Sequence, residues 1–122
     1  MAAAMMINIE AIKRQEKKLR ETLFSKTADL LNNTLMYVPT SSVLLVNETT
    51  TRVICGSDGK KSLLISSRPL SSAGDCEWVI ENFSALKQAV DELLSPEAEE
   101  ILRVIEKTED LIRKVDDINQ RH

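Results

Sequence analysis

The sequence has little of the side-chain chemistry on which most active sites depend. Its 122 residues include one histidine, His122, at the very end of the printed chain. Histidine-based triads, histidine general bases and histidine-rich metal sites are therefore excluded. Serines are frequent, but they have no histidine base and no nucleophile-elbow glycine spacing. We accordingly expect neither an enzyme nor a bound metal or other cofactor.

Long apolar runs and an excess of positive charge are also missing. No stretch approaches the length needed to cross a bilayer. The formal net charge of −3 implies no bulk attraction to nucleic acid or to an anionic membrane. Arg52 and Arg68 are the only arginines near the predicted sheet, too few for a nucleic-acid groove. We therefore expect neither a nucleic acid nor a membrane as partner.

The two cysteines, Cys55 and Cys76, offer one possible disulfide. Because no secretory signal is recognisable, we expect buried free thiols in a reducing, cytoplasmic location. A disulfide is the alternative, since both residues fall in segments predicted as strands that can be neighbours.

The length suits one domain with a modest core. We assign residues 1–7 to a disordered start or tag remnant, residues 8–118 to a single α+β domain, and residues 119–122 to a disordered tail.

What the chain does have is a long amphipathic helix near its end, predicted over residues 95–118. Ser95 is a suitable N-cap and Pro96 a suitable first helical residue, so we expect the helix to begin there. Apolar residues then recur on one broad face, with Thr108 as the only polar interruption. These apolar residues are Ile101, Val104, Ile105, Leu111, Ile112, Val115 and Ile118.

A second long helix is predicted over residues 8–33, where leucine and isoleucine recur at helical spacing. Glu16 interrupts its apolar seam. This helix is rich in basic residues, whereas the last helix is rich in acidic ones. The opposite balance predicts antiparallel neighbours, either within one chain or across an interface.

Between the helices the apolar period changes to that of strands. We predict a short edge strand over 35–38 and a four-stranded antiparallel meander, followed by a short helix that ends at Leu94. The Gly56–Gly59 segment predicts a hairpin turn. A phosphate loop is the alternative there, but it requires a longer glycine spacing and a following helix. The four strands of the meander are predicted over residues 43–47, 51–55, 61–66 and 76–81.

The apolar faces of two long amphipathic helices are too large for so small a sheet to cover. We therefore expect a homodimer or a higher symmetric oligomer, closed through Ile101, Ile105, Ile112 and Val115. Its function would then be to bind something at its subunit interfaces.

A small acidic chain with helices flanking an antiparallel sheet, and a long C-terminal helix bearing arginines, resembles the phage anti-Thoeris sponge family. Members of that family form symmetric oligomers that sequester cyclic ADP-ribose-type immune signals without cleaving them. The resemblance implies that Phe83 stacks on the base of a small anionic nucleotide, and that Asn82 beside it belongs to the same ligand site. It also implies that Arg103 and Arg113 contact the phosphates.

Two alternatives remain open at this point. Arg103 and Arg113 are also placed for ordinary ion pairs within the helix, for example between Glu109 and Arg113. The whole chain is also compatible with a protein-interaction module, such as a small acidic dimeric chaperone or adaptor that binds the apolar segment of a partner.

Overall fold

The computed structural model describes residues 7–122 as an α+β fold with long N- and C-terminal helices. Residues 1–6, most of the segment predicted as a disordered start, lie outside the described residues. Within the described part, no helix has both the length and the apolar character to cross a membrane. In chain order the elements are α1 (Ile9–Thr34), β1 (Val43–Val46), β2 (Thr49–Cys55), β3 (Lys61–Ile65), β4 (Arg68–Pro69), α2 (Ala73–Glu81) and α3 (Phe83–Arg121).

The four strands form one antiparallel meander in the order β1-β2-β3-β4. Alternate side chains of the first three strands turn to one face, which is buried. Thr51 is the only polar residue among the buried residues of these strands, and its hydroxyl donates a hydrogen bond of 2.8 Å to the carbonyl of Leu44. The buried sheet residues are Leu44, Val46, Thr51, Val53, Leu63 and Ile65.

All three helices contribute to the core that covers this face. Leu31 of α1, Val79 of α2, and Leu86 and Val90 of α3 belong to one buried apolar cluster with the sheet. α1 packs on α2 and β3, whereas α3 packs on β1. The two long helices are therefore not the antiparallel neighbours within one chain that their charges suggested, and only pairing across an interface stays a prediction.

The predicted strand over residues 76–81 is wrong, because this segment is helix α2. A reciprocal capping box begins the helix: the Ser72 hydroxyl accepts from the Asp75 backbone, and the Asp75 carboxylate accepts from the Ser72 backbone. The two-residue strand β4 takes the fourth position in the sheet instead. The alternation of apolar and polar residues over 76–81 therefore did not identify a strand, because the capping box stabilises a helix that begins just before this segment.

The predicted edge strand over 35–38 is also wrong. The chain turns there, with the Val38 backbone donating to the Leu35 carbonyl at 3.0 Å. Leu35 and Val38 are both fully buried. The Lys61 ammonium holds the turn by donating to the carbonyls of Met36 and Val38. The segment is a turn and not a strand, because the carbonyls of Met36 and Val38 bond a lysine side chain instead of a neighbouring strand.

The prediction that one helix ends and the next begins at Ser95 and Pro96 is also wrong. α3 continues through both residues for 39 residues in all. Proline at this position removes one backbone hydrogen bond, to the carbonyl of Glu92. Glu92 is exposed, so water can satisfy that carbonyl, and strong helix formers continue on both sides. α3 also reaches Arg121, into the segment predicted as a disordered tail.

Candidate functional site

The most unusual feature of the molecule is the second half of α3, in which every residue from 95 onward is exposed. From Pro96 to Arg121 this segment extends about 40 Å at the rise of an α-helix. It carries the predicted apolar face, whose seven aliphatic side chains are 46–57% exposed. We call these seven residues the apolar stripe: Ile101, Val104, Ile105, Leu111, Ile112, Val115 and Ile118.

The apolar stripe follows a seven-residue repeat, the period that favours helix-to-helix packing. Its members recur at the same three heptad positions over residues 101–118, with Thr108 at the only polar one. The Thr108 hydroxyl donates to the carbonyl of Val104 at 2.7 Å, so it is already satisfied within its own helix. The three rows are Ile101, Thr108 and Val115; Val104, Leu111 and Ile118; and Ile105 and Ile112.

The stripe continues the face of α3 that is buried in the body. Leu86 and Val90 are buried against the sheet, and Leu94 follows at the same spacing before Ile101. α3 leaves the body beside Tyr37, which lines an open concavity of about 290 Å³ with Leu94 and Ile101. Beyond that point the same face has no cover within the described chain.

Charge is distributed unequally on the two sides of the stripe. One side carries Lys107, Lys114 and Arg121, which we call the basic flank. The other side carries Glu109 and Asp116, which we call the acidic flank. From residue 107 onward the members of each flank lie seven residues apart, whereas the same two positions one heptad earlier hold Glu100 and Leu102.

Asn82, one of the predicted ligand residues, has a structural role at the junction of α2 and α3. Its amide nitrogen donates to the Trp78 carbonyl at 2.8 Å, and its amide oxygen accepts from the Asn47 side chain at 2.6 Å. Asn47 belongs to the tight turn between β1 and β2. The Asn82 side chain therefore ties that turn to the helix junction.

Phe83, the predicted stacking residue, is half-buried and packs against the core cluster. It also lines a concavity of about 660 Å³ with Lys87, Asp91 and Pro96. All of the residues that line this space belong to α3, so it is a groove along one side of a helix, with no opposing wall from the same chain.

Arg103 and Arg113 make the ordinary ion pairs of a helix surface. Arg103 lies 3.1 Å from Glu100 and Arg113 lies 3.8 Å from Asp110, each three residues apart. The partner of Arg113 is therefore Asp110 and not Glu109 as predicted. Both guanidinium side chains are more than 70% exposed. Along the helix, Arg103 lies about 30 Å from Phe83 and Arg113 about 45 Å. One chain therefore does not bring the four predicted ligand residues together, and a shared site would need a second subunit.

The remaining candidate groups are engaged in local structure. The Gly56–Gly59 segment is the hairpin turn between β2 and β3, and the neighbouring Lys60 lies 3.1 Å from Asp29 of α1. Cys55 and Cys76 are both free thiols. Cys76 is buried as expected, but Cys55 is exposed, which corrects that part of the prediction. Across residues 7–122, no three His, Cys, Asp or Glu side chains converge as a metal site.

Among residues 7–122, Asp75 is the one buried acidic residue, and the sequence analysis did not identify it. Its carboxylate accepts from the backbone of Ser71 at 2.8 Å and of Ser72 at 3.0 Å, and Arg68 lies 3.7 Å away. The Ser71 backbone bond, despite opposing desolvation, holds the pKa of Asp75 below its usual value, aided by Ser72 and Arg68. Ser72 followed three residues later by an acid was the signal for this cap.

The chain matches no protein-family model, no curated protein and no solved structure. The candidate site therefore stands on its own geometry, and that geometry concentrates on the apolar stripe.

Proposed function

We propose that this protein is a non-enzymatic homo-oligomer whose subunits associate through the apolar stripe of α3. The observation that carries the proposal is the exposure of seven aliphatic side chains on one face of a projecting helix. Single exposed aliphatic residues are ordinary on protein surfaces, whereas a contiguous apolar patch usually serves an interaction.

The energy available from the stripe is sufficient for association. Full burial of one Val, Leu or Ile side chain contributes roughly 1.5–3 kcal/mol, and each of these is already about half covered by its own helix. Covering the remaining half of all seven would therefore contribute roughly 5–10 kcal/mol per subunit. Two subunits together would gain roughly 10–20 kcal/mol, which is comparable to or larger than the association cost of about 4–15 kcal/mol.

Within this proposal, the finer function is that of a sponge that holds a cyclic ADP-ribose-like nucleotide at subunit interfaces. The resemblance in overall organisation and the exposure of Arg103 and Arg113 support this function. Since Phe83 lies far from both arginines in one chain, such a site would combine residues of different subunits. A cytoplasmic location agrees with two free thiols.

The nucleotide part is tested by native mass spectrometry of the purified protein with a panel of cyclic nucleotides. A sponge retains the nucleotide and releases it unchanged on denaturation. Arg103→Ala and Arg113→Ala should each weaken retention without a change in helical content. Undiminished retention in both variants would remove these arginines from the site, and no retention by the parent protein would refute the sponge function.

The second candidate function is an interaction module that offers the same stripe to an apolar segment of another protein. The exposure of the stripe supports this equally. The discriminating property is self-association, because an adaptor of this kind would remain a monomer until its partner is added.

Light scattering coupled to size-exclusion chromatography tests the proposal directly. Ile105→Asp places a charge in the stripe, whereas Gln120→Asp adds the same charge on the opposite face of the same helix. We expect the parent protein and the Gln120→Asp variant to be oligomers of equal mass, and Ile105→Asp to be a folded monomer. A monomeric parent protein would overturn the proposal, as would an Ile105→Asp variant of unchanged mass.

A further inference from the structure

We propose that the α3 helices of associated copies lie parallel and in register, so that their globular bodies sit at the same end of a helical bundle. This inference rests on the proposed self-association and adds its geometry. The occupant of the apolar stripe is the stripe of a second copy of this chain.

The charges beside the stripe favour the parallel arrangement. In a parallel pair, the left side of each helix faces the right side of the other. The basic flank of one helix therefore lies beside the acidic flank of the other. Lys107 then lies between the levels of Leu102 and Glu109 of the second copy, closer to Glu109, and it makes no ion pair with its own chain in the described structure. In an antiparallel pair, basic flank meets basic flank and acidic meets acidic, which is unfavourable.

Thr108 is compatible with a central place in such a bundle. It lies in the middle of the stripe, at the level of its own counterpart when parallel helices are in register. Because its hydroxyl is bonded to the Val104 carbonyl, burial leaves no unpaired donor. The third apolar row, Ile105 and Ile112, widens the face beyond a two-row seam, as suits helices packed in a bundle.

The projecting half of α1 is a poorer occupant for the stripe. Between Ile9 and Leu19 it exposes fewer apolar residues, and Glu16 stands in its seam. Burying that carboxylate against aliphatic side chains would oppose association. The stripe of a second copy has matching length and period and contains no charge.

Cysteine cross-linking distinguishes the arrangements, in a Cys55→Ser background that removes the exposed thiol. In parallel helices, Ile118→Cys faces its own counterpart within the short Cα separation that a disulfide requires. In antiparallel helices overlapping over the stripe, Ile118 faces Ile101 instead and lies about 25 Å from its counterpart. Gln120→Cys, on the outer face, measures the background.

We expect Ile118→Cys alone to form a covalent dimer on mild oxidation, far above the level of Gln120→Cys. Cross-linking only in a mixture of Ile101→Cys and Ile118→Cys proteins would refute the parallel arrangement while leaving self-association intact. An oligomer in which none of these cysteines cross-links, and which Leu19→Asp dissociates, would assign the stripe to α1 of the second copy. A parent protein that is monomeric before oxidation would refute the proposed function itself.

Charge reversal provides an independent measurement. Lys107→Glu with Lys114→Glu makes both flanks acidic along the stripe and leaves only Arg121, beyond its end, basic. Parallel association should therefore weaken by at least about tenfold. Adding Glu109→Lys and Asp116→Lys exchanges the flanks and should restore the parent dissociation constant. An antiparallel bundle would be insensitive to the first pair of substitutions, because like charges would face each other before and after.

Discussion

Replacing Asp75 with asparagine tests whether one buried carboxylate holds the start of α2 in place. The substitution keeps the shape of the side chain and removes its charge. In the structure the Asp75 carboxylate accepts from the backbone N–H groups of Ser71 and Ser72 at 2.8 and 3.0 Å. Its side chain is only 10% exposed, so solvent screens these bonds weakly.

The expected cost follows from the two backbone bonds. A hydrogen bond to a charged group contributes about 1.5–3 kcal/mol, and a neutral one about 0.5–1.5 kcal/mol. Losing the charge should therefore reduce the free energy of unfolding by about 2 kcal/mol, which lowers the midpoint of thermal unfolding by roughly 5–10 °C. The ion pair with Arg68 adds little, because Arg68 is 67% exposed.

The effect should depend on pH in a defined direction. Because the pKa of Asp75 is lower in the folded protein than the value of about 3.9 in an unfolded chain, the stabilisation is complete above that value. It is lost as the pH falls through the folded value. Thermal unfolding followed by circular dichroism at pH 6.5 and at pH 3, at one protein concentration, measures the difference in stability above and below the unfolded-state pKa.

Asp91→Asn is the matched control for the Asp75 substitution. Asp91 has the same charge and pairs with Lys87 at 3.5 Å, but its side chain is 65% exposed, so we expect a cost below about 0.5 kcal/mol. Equal costs for the two variants would contradict the assignment of the cap to Asp75. A difference that persists undiminished at pH 3 would show that the carboxylate charge is not its source.

Three further substitutions, the last with a matched control, test backbone features of the fold by thermal unfolding. Pro96→Ala restores an N–H that can bond the Glu92 carbonyl inside α3, so it should stabilise the protein by about 1–3 kcal/mol; no gain would indicate that the helix breaks there. Glu48→Gly should stabilise it by about 0.5–1 kcal/mol, because Glu48 has a φ of 67° in a two-residue turn, and a loss would contradict that turn. Lys61→Met should cost about 1–3 kcal/mol through the carbonyls it leaves unpaired, whereas Lys60→Met should cost below about 0.5 kcal/mol; equal costs would refute the role of Lys61.

The sequence predicted those parts of the fold in which one periodicity extends over many residues. A repeat of about 3.6 residues predicted α1 and the apolar face near the end of the chain, and a repeat of two residues predicted the first three strands. The sequence was misleading over short segments. Apolar and polar residues alternate over 76–81 as in a strand, yet this segment is helical. The capping box at Ser72 and Asp75 bonds backbone N–H groups at the start of the helix, and the six-residue pattern carries no information about those bonds.

The candidate site divides in the same way. The apolar stripe was predictable because it depends on spacing within one helix. The distances from Phe83 to Arg103 and Arg113 were not predicted, because they depend on whether α3 breaks or continues at Pro96. A break would have allowed the chain to fold back and bring those residues together, whereas a continuous helix separates them.

The order of residues specifies the pattern of side chains along each element, including the stripe and the charges beside it. Which part of that apolar surface is covered depends on the tertiary structure. Leu86 and Val90 are buried because β1 lies beneath them, and the residues from Ile101 onward are exposed because α3 extends past the end of the sheet. Periodicity identifies a face that favours burial, but burial itself depends on where the neighbouring elements end.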